Sequence, residues 1–231
     1  MAKVIAIINQ KGGVGKTTTA VNLSALLGAM GQRVLMIDLD PQGNTTSGLG
    51  MEVDDKSIYE VIMGRMKLTD VMEETEFKNL SIAGSDVRLA NAELELVEVE
   101  KREYRLKTAV QSVQQDFDFI FIDCPPSLGL LTINALGAAD SVLIPVSAEY
   151  LPASGMTGLL KTVARVRRPI NPGLSVEGIL VTLYDSRNNL ARDAERTVRG
   201  QYGKAYRVFE TVVPRAVSCL LYTSPSPRDG L

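Results

Sequence analysis

The stretch Lys11-Gly12-Gly13-Val14-Gly15-Lys16-Thr17-Thr18 separates two runs of unlike character. Before it, Val4-Ile5-Ala6-Ile7-Ile8 is unbroken apolar sequence; after it, residues 20–27 are small and apolar. That order predicts a buried strand, a glycine turn and a helix. Glycines let the backbone curl so that successive N–H groups face one concavity. The helix N-terminus adds its partial positive charge, and a polyphosphate fits there. Lys16 is placed to reach the outer phosphates, and the Thr17 hydroxyl to ligate Mg²⁺.

The usual phosphate-loop pattern has a glycine six positions before this lysine. Gln10 stands there instead, and an extra lysine, Lys11, opens the turn. Further along, residues 33–37 form a second apolar run that ends in Asp38-Leu39-Asp40-Pro41-Gln42-Gly43-Asn44. Residues 117–122 form a third, ending in Asp123-Cys124-Pro125-Pro126. Carboxylates at the C-terminal ends of parallel strands face the ligand crevice of an open α/β sheet. Asp38 and Asp40, two apart, can point the same way.

The remaining pattern alternates. Residues 45–50 are expected as loop, 57–63 as a short helix capped by Ser57, 79–83 as a strand and 90–115 as one long, glutamate-rich helix. Helices are expected over 132–139, 154–167 and 188–200, and strands over 141–146, 175–183 and 206–209. Strands alternating with helices mean a mostly parallel, twisted sheet covered by helices on both faces, an α/β fold. With 231 residues, residues 1–217 are expected to be a single domain.

Net charge is −2, unevenly placed. Residues 51–103 hold 7 Lys/Arg against 14 Asp/Glu, and residues 151–217 hold 11 against 5. Within the basic third, Arg192, Arg196 and Arg199 fall at i, i+4 and i+7, on one side of the expected helix. Arg187 lies just before it. There is no histidine, and Cys124 and Cys219 are the only cysteines, which argues against an internal zinc site and for a reducing cytoplasm. Cys124 is expected as a packed core thiol. No apolar run reaches membrane-spanning length, and no signal peptide is expected at the N-terminus.

The glycine stretch with its two lysines resembles the deviant Walker A loop of the ParA/MinD/nitrogenase-iron-protein superfamily of P-loop NTPases. The Asp38–Asn44 segment, the Asp123-Cys124-Pro125-Pro126 segment, Thr182-Leu183-Tyr184-Asp185-Ser186-Arg187 and Val213-Pro214-Arg215 resemble its ParA/Soj-type partitioning members. The resemblance covers about residues 2–217. It implies an Mg-dependent ATPase that hydrolyses ATP slowly and is stimulated by a partner. Gly12, Gly13, Val14, Gly15, Lys16, Thr17 and Thr18 would hold the phosphates, and Pro214 and Arg215 the adenine. Thr17, Asp123 and Asp38 would serve the metal, Asp40 the attacking water. Lys11 would cross to the partner's phosphates in an ATP-bound homodimer. The implied partners are non-specific double-stranded DNA, contacted through Arg187, Arg192, Arg196 and Arg199, and a ParB/Spo0J-type centromere-binding protein. The implied location is cytoplasmic and nucleoid-associated, off the membrane. A MinD-type division-site switch on the membrane surface is the alternative, and would need an amphipathic C-terminal helix. A redox protein of the nitrogenase-iron type lacks the cysteine pair it would need in the core.

Residues 218–231 depart from the resemblance. Cys219 to Asp229 back-translates into transposase sequencing-adaptor DNA. The segment is therefore expected to be adaptor read-through or a disordered tail, with the native C-terminal sequence missing from about residue 218.

Overall fold

In the computed structural model, which describes residues 1–149 and 155–215, the first apolar run is strand β1, Lys3–Ile7. The glycine turn leads into helix α1, Lys16–Ala29, and then strand β2, Val34–Asp38. Two short helices follow, α2 (Asn44–Gly48) and α3 (Ile58–Met63), the latter capped by Ser57, whose hydroxyl accepts from Tyr59 N–H. Strands β3 (Met72–Glu74) and β4 (Leu80–Ala83), helices α4 (Ala92–Glu95) and α5 (Arg105–Val113), and strand β5 (Phe119–Asp123) come next. The chain continues through α6 (Leu130–Ala138), β6 (Ser141–Ser147), α7 (Gly155–Arg167), β7 (Ser175–Thr182) and α8 (Asn189–Tyr202).

The seven strands form one sheet in the order β3-β4-β2-β5-β1-β6-β7. Every pairing is parallel except β3 with β4. The α/β expectation with helices on both faces is the architecture found. Alternate residues of each central strand feed two cores. Val4, Ala6, Leu35, Ile37, Ile120 and Ile122 pack with residues of α5, α6, α7 and α8. Ile5, Ile7, Val34, Met36 and Phe121 pack against Ala20 and Val21 of α1. Burial on both faces is why these strands read as continuous apolar runs. The chain leaves β1 toward β2 and β4 on one side and returns through β5 to β6 and β7 on the other. This brings the C-terminal ends of β1, β2 and β5 together, with Asp123 in register with both Ile7 and Asp38.

Three local expectations are corrected, and one strand lies where none is expected. Residues 45–50 are largely helical, as α2, because Asp38 grips its first turn from below. The long helix over 90–115 is broken. Lys101 sits in the left-handed region (φ 56°), and buried Asn134 of α6 supplies bonds a continuous helix would have made. Its Oδ1 accepts from Leu106 N–H at 3.1 Å and its Nδ2 donates to Arg102 O at 2.9 Å. The expected strand over 206–209 is a single bridge between Val208 and Ile179, and β3 was not foreseen. Ser154, the expected start of the seventh helix, and the segment 218–231 with Cys219 lie outside the described residues. No helix among the described residues is long and apolar enough to cross a membrane.

Candidate functional site

The turn between β1 and α1 is shaped by two left-handed glycines, Gly13 (φ 68°) and Gly15 (φ 79°). L side chains rarely adopt this conformation, and Gly15 also caps α1. Among the described residues, the backbone N–H groups of Gly12, Gly13, Gly15, Lys16 and Thr17 donate to no backbone carbonyl. A Cβ added at Gly12 or Gly13 would meet nothing within 4 Å. The loop is thus an open nest of donors at a helix N-terminus, the arrangement that binds phosphate. Lys16 is buried along its stem, and its Nζ donates to Lys11 O at 3.4 Å across the mouth of the nest. Lys11 is exposed at the turn, its N–H donating to Asn9 Oδ1 at 3.0 Å.

Asp123 receives the Thr17 hydroxyl and the Thr45 hydroxyl, both on Oδ2 at 2.7 Å. Its other oxygen, Oδ1, is buried and has no hydrogen-bond partner among the described residues. A buried carboxylate oxygen without a donor costs free energy unless something positive completes it. Burial pushes the Asp123 carboxyl up, with the hydroxyls of Thr45 and Thr17 and the charge of Lys16 acting the other way. Thr17 Oγ1 and Asp123 Oδ1 are hard oxygen donors, and they fit Mg²⁺. No cluster of three or more Asp, Glu, His or Cys that could hold a metal exists among the described residues.

Asp38 lies opposite Asp123 and is used differently. Its Oδ1 accepts from Asp40 N–H at 3.1 Å; its Oδ2 accepts from Thr46 N–H at 2.9 Å and from the Thr46 hydroxyl at 2.7 Å. Asp38, expected to serve the metal, anchors α2, and α2 delivers Thr45 to Asp123. Burial, then the charge of Asp123, raises its pKa to about 7. Asp40 stands just past the end of β2, largely buried, with Oδ1 accepting from Gln42 N–H at 3.0 Å. Its charge acts on Asp123, so it lies near that carboxylate. Cys124 is fully buried and packed, its thiol pushed well up by desolvation.

Thr45, Thr46 and Thr182 belong to the site and were not singled out in the sequence. The first two follow Gly43, itself left-handed (φ 62°), in a polar stretch that reads as loop. Thr182, at the end of β7, donates its hydroxyl to Val14 O at 2.8 Å from 168 positions away. Val213, Pro214 and Arg215 run beside that same strand end. Tyr184 bridges Pro214, its N–H donates to Val213 O at 3.0 Å, and Arg215 N–H donates to Tyr184 O at 3.0 Å. The Arg215 guanidinium is held 2.8 Å from Glu149. The segment expected around adenine therefore lies at the sheet end that carries the phosphate loop.

The expected basic face is only partly assembled. Arg192 and Arg196 are exposed on α8, the first hydrogen-bonded to Asn189 Oδ1 and the second 3.6 Å from Asp193. Arg187 is exposed beside Asp185, at 3.1 Å. Arg199 departs from the group. Its Nε pairs with Glu195 at 2.9 Å, and its Nη2 donates to the carbonyls of Phe209 (3.0 Å) and Glu210 (3.3 Å). It clasps the 206–210 segment to α8 rather than facing outward.

The sequence profile of the family described as an AAA domain matches residues 2–176. The chain is 49 % identical, over its whole length and 89 % of the relative's, to the sporulation initiation inhibitor protein Soj of Bacillus subtilis. It is 47 % identical to the chromosome partitioning protein ParA of Myxococcus xanthus, across 94 % of this chain and 77 % of that one. Among solved structures, a cobyrinic acid a,c-diamide synthase from Mycobacterium smegmatis with bound ATP analogue and magnesium superposes with a TM-score of 0.89 at 39 % identity. That match covers 96 % of this chain and 90 % of the other.

Proposed function

The chain belongs to the ParA/Soj family of chromosome-partitioning ATPases, and we propose that it acts as an ATP-dependent dimer that binds DNA non-specifically and is reset by hydrolysis. One observation carries the nucleotide part. An open nest of N–H donors, Gly12 to Thr17, ends beside Asp123, whose buried Oδ1 has no donor. A nucleotide polyphosphate satisfies the first, and Mg²⁺ held by Thr17 and Asp123 satisfies the second. The ion, when bound, supplies charge neutralisation for the phosphoryl oxygens.

This chain's own residues do the rest. The nest and Lys16 bind and orient the phosphates. Asp40, near Asp123 and already fixed by Gln42 N–H, holds the attacking water by accepting its proton-bearing edge. Lys11, exposed at the loop tip, crosses to the phosphates of a second copy, so that the paired form is the one that hydrolyses. Arg187, Arg192 and Arg196 contact DNA phosphates once two copies are joined. A ParB/Spo0J-type protein is the stimulating partner, and association with the nucleoid follows from the DNA contact.

The test is nucleotide binding, light scattering and phosphate release on the wild type and three variants. Lys16→Ala is expected to lose ATP binding altogether. Asp40→Ala is expected to bind ATP and dimerise while hydrolysis falls by about 10²-fold or more, the usual worth of a positioned acid–base group. Lys11→Ala is expected to bind ATP as a monomer. Unchanged ATP affinity in Lys16→Ala sinks the phosphate-site reading; wild-type turnover in Asp40→Ala moves the water-holding role elsewhere; an ATP dimer of Lys11→Ala removes the cross-subunit lysine.

A further inference from the structure

Thr182 is 1 % exposed and touches the phosphate loop from behind. Its hydroxyl donates to Val14 O at 2.8 Å, and its side chain lies 3.7–3.8 Å from where a Gly15 Cβ would be. We infer that Thr182 is a positioning residue for phosphate binding: by holding the Val14 carbonyl outward, it aims the Gly15 N–H into the nest. The inference rests on the phosphate-site reading above.

The described chain has no cis peptide, and in a planar trans peptide the C=O and N–H point in opposite directions. Fixing Val14 O toward Thr182 therefore fixes Gly15 N–H toward the other side, where the nest opens. The loop does not fix it unaided. Left-handed glycines stand at 13 and 15, one on each side of Val14. Glycine crosses between φ regions at little steric cost, so the 14–15 peptide is free to turn over unless something holds it. The bond to Thr182 is buried, where a hydrogen bond is electrostatically stronger than in water. The anchor is itself rigid. Thr182 pairs in register with Ser147 of β6, and its carbonyl accepts from Ala148 N–H at 2.9 Å. A strand late in the chain thus pre-orders a donor in the first loop, sparing the bound state the cost of ordering it.

A purely packing role for Thr182 predicts something different, and three substitutions in the full chain separate the two. Thr182→Val keeps the shape and removes the donor. Thr182→Ser keeps the donor and removes the methyl. Thr182→Ala removes both. ADP binding in the presence of magnesium is measured by calorimetry, together with the melting temperature of the nucleotide-free protein. The expected result is about tenfold weaker ADP binding for Thr182→Val, the scale of one lost hydrogen bond, measured well below the melting temperature of the nucleotide-free variant so that the loss is read on folded protein. Thr182→Ser is expected within about twofold of wild type. Should Thr182→Val fail to fold, Thr182→Ala against Thr182→Ser carries the same comparison. ADP affinity in Thr182→Val equal to wild type, or Thr182→Ser weakened as much as Thr182→Val or Thr182→Ala, overturns the inference. Wild-type protein that binds no ADP, or Lys16→Ala that binds it unchanged, overturns the phosphate-site reading instead.

Discussion

Asp38 and Asp123 face each other across neighbouring strands, both almost fully buried. Burial and mutual repulsion work against holding two charges there, and the protein answers with hydroxyls. Thr46 serves Asp38 and nothing else in the crevice: its hydroxyl donates to Asp38 Oδ2 and accepts from Ser85 N–H at 2.9 Å. That single side chain ties the end of β2, the start of α2 and the turn after β4 into one knot. Thr46→Val keeps the volume and removes both bonds. It strands a buried N–H and takes a donor from a buried carboxylate. We expect it to cost about 1–3 kcal/mol, the penalty for leaving buried polar groups short of partners. Urea unfolding of the nucleotide-free protein measures it, and a loss below about 0.5 kcal/mol, within the range of an ordinary surface substitution, would show the knot to be slack.

Elements are pinned in register at both ends of the central strands, and only one pin belongs to the site. At the other end, Asp118 before β5 accepts from Arg33 N–H at 2.9 Å and from the Arg33 guanidinium at 2.9 and 3.3 Å. Those bonds, the guanidinium's first, hold the Asp118 carboxyl at about 2. The folded value lies below the ordinary unfolded one of about 4, so the stabilisation is complete above that value and fades as pH falls toward the folded value. Asp118→Asn is therefore expected to lower the urea midpoint near neutral pH, with the gap to wild type narrowing from about pH 5 and closing toward about pH 2. A gap that stays constant over that interval assigns the effect to shape, not charge.

What the sequence made legible follows the same division between local and tertiary causes. Runs such as 4–8, 33–37 and 117–123 read as strands because both faces are buried, leaving no polar alternation to confuse them. The glycine loop was equally clear, since left-handed backbone at Gly13 and Gly15 has to be written locally as glycine. The break at Lys101 was not, because its cause is Asn134, a residue of another helix. Helix α2 reads as loop by composition and is helical because Asp38 receives its first turn. Strand β3 is a three-residue antiparallel edge, Met-Glu-Glu, with no apolar pattern to announce it. Thr182 opens a stretch that resembles the family, but nothing local announces its bond to the loop, its partner being 168 residues away.

Taken whole, the molecule separates its charges, acidic over residues 51–103 and basic over 151–217, and α8 lies within the basic part. That helix is tethered to the nucleotide end of the sheet. The Tyr184 side chain, two residues after Thr182, lies close to Glu195, which in turn pairs with Arg199. Arg199 is therefore expected to matter for stability and Arg192 and Arg196 for DNA. A single copy offers few phosphate contacts, each weak at physiological salt. Joining two copies through ATP makes the second patch act at high effective concentration on the same duplex, so binding should require ATP. Phosphate contacts carry no base information, so any duplex should serve, and affinity should fall steeply with salt as counterions are released. Arg192→Glu with Arg196→Glu is expected to abolish the gel shift of two unrelated duplexes while leaving ATP binding and the melting temperature near wild type. Arg199→Ala is expected to do the reverse, lowering the melting temperature by loosening residues 206–210 while DNA binding of the folded protein persists. A shift that survives the double reversal removes α8 as the DNA contact. Failure of wild-type protein to bind DNA at low salt with ATP, alongside ATP-dependent binding to anionic liposomes, moves the chain from a DNA clamp to a membrane-surface switch.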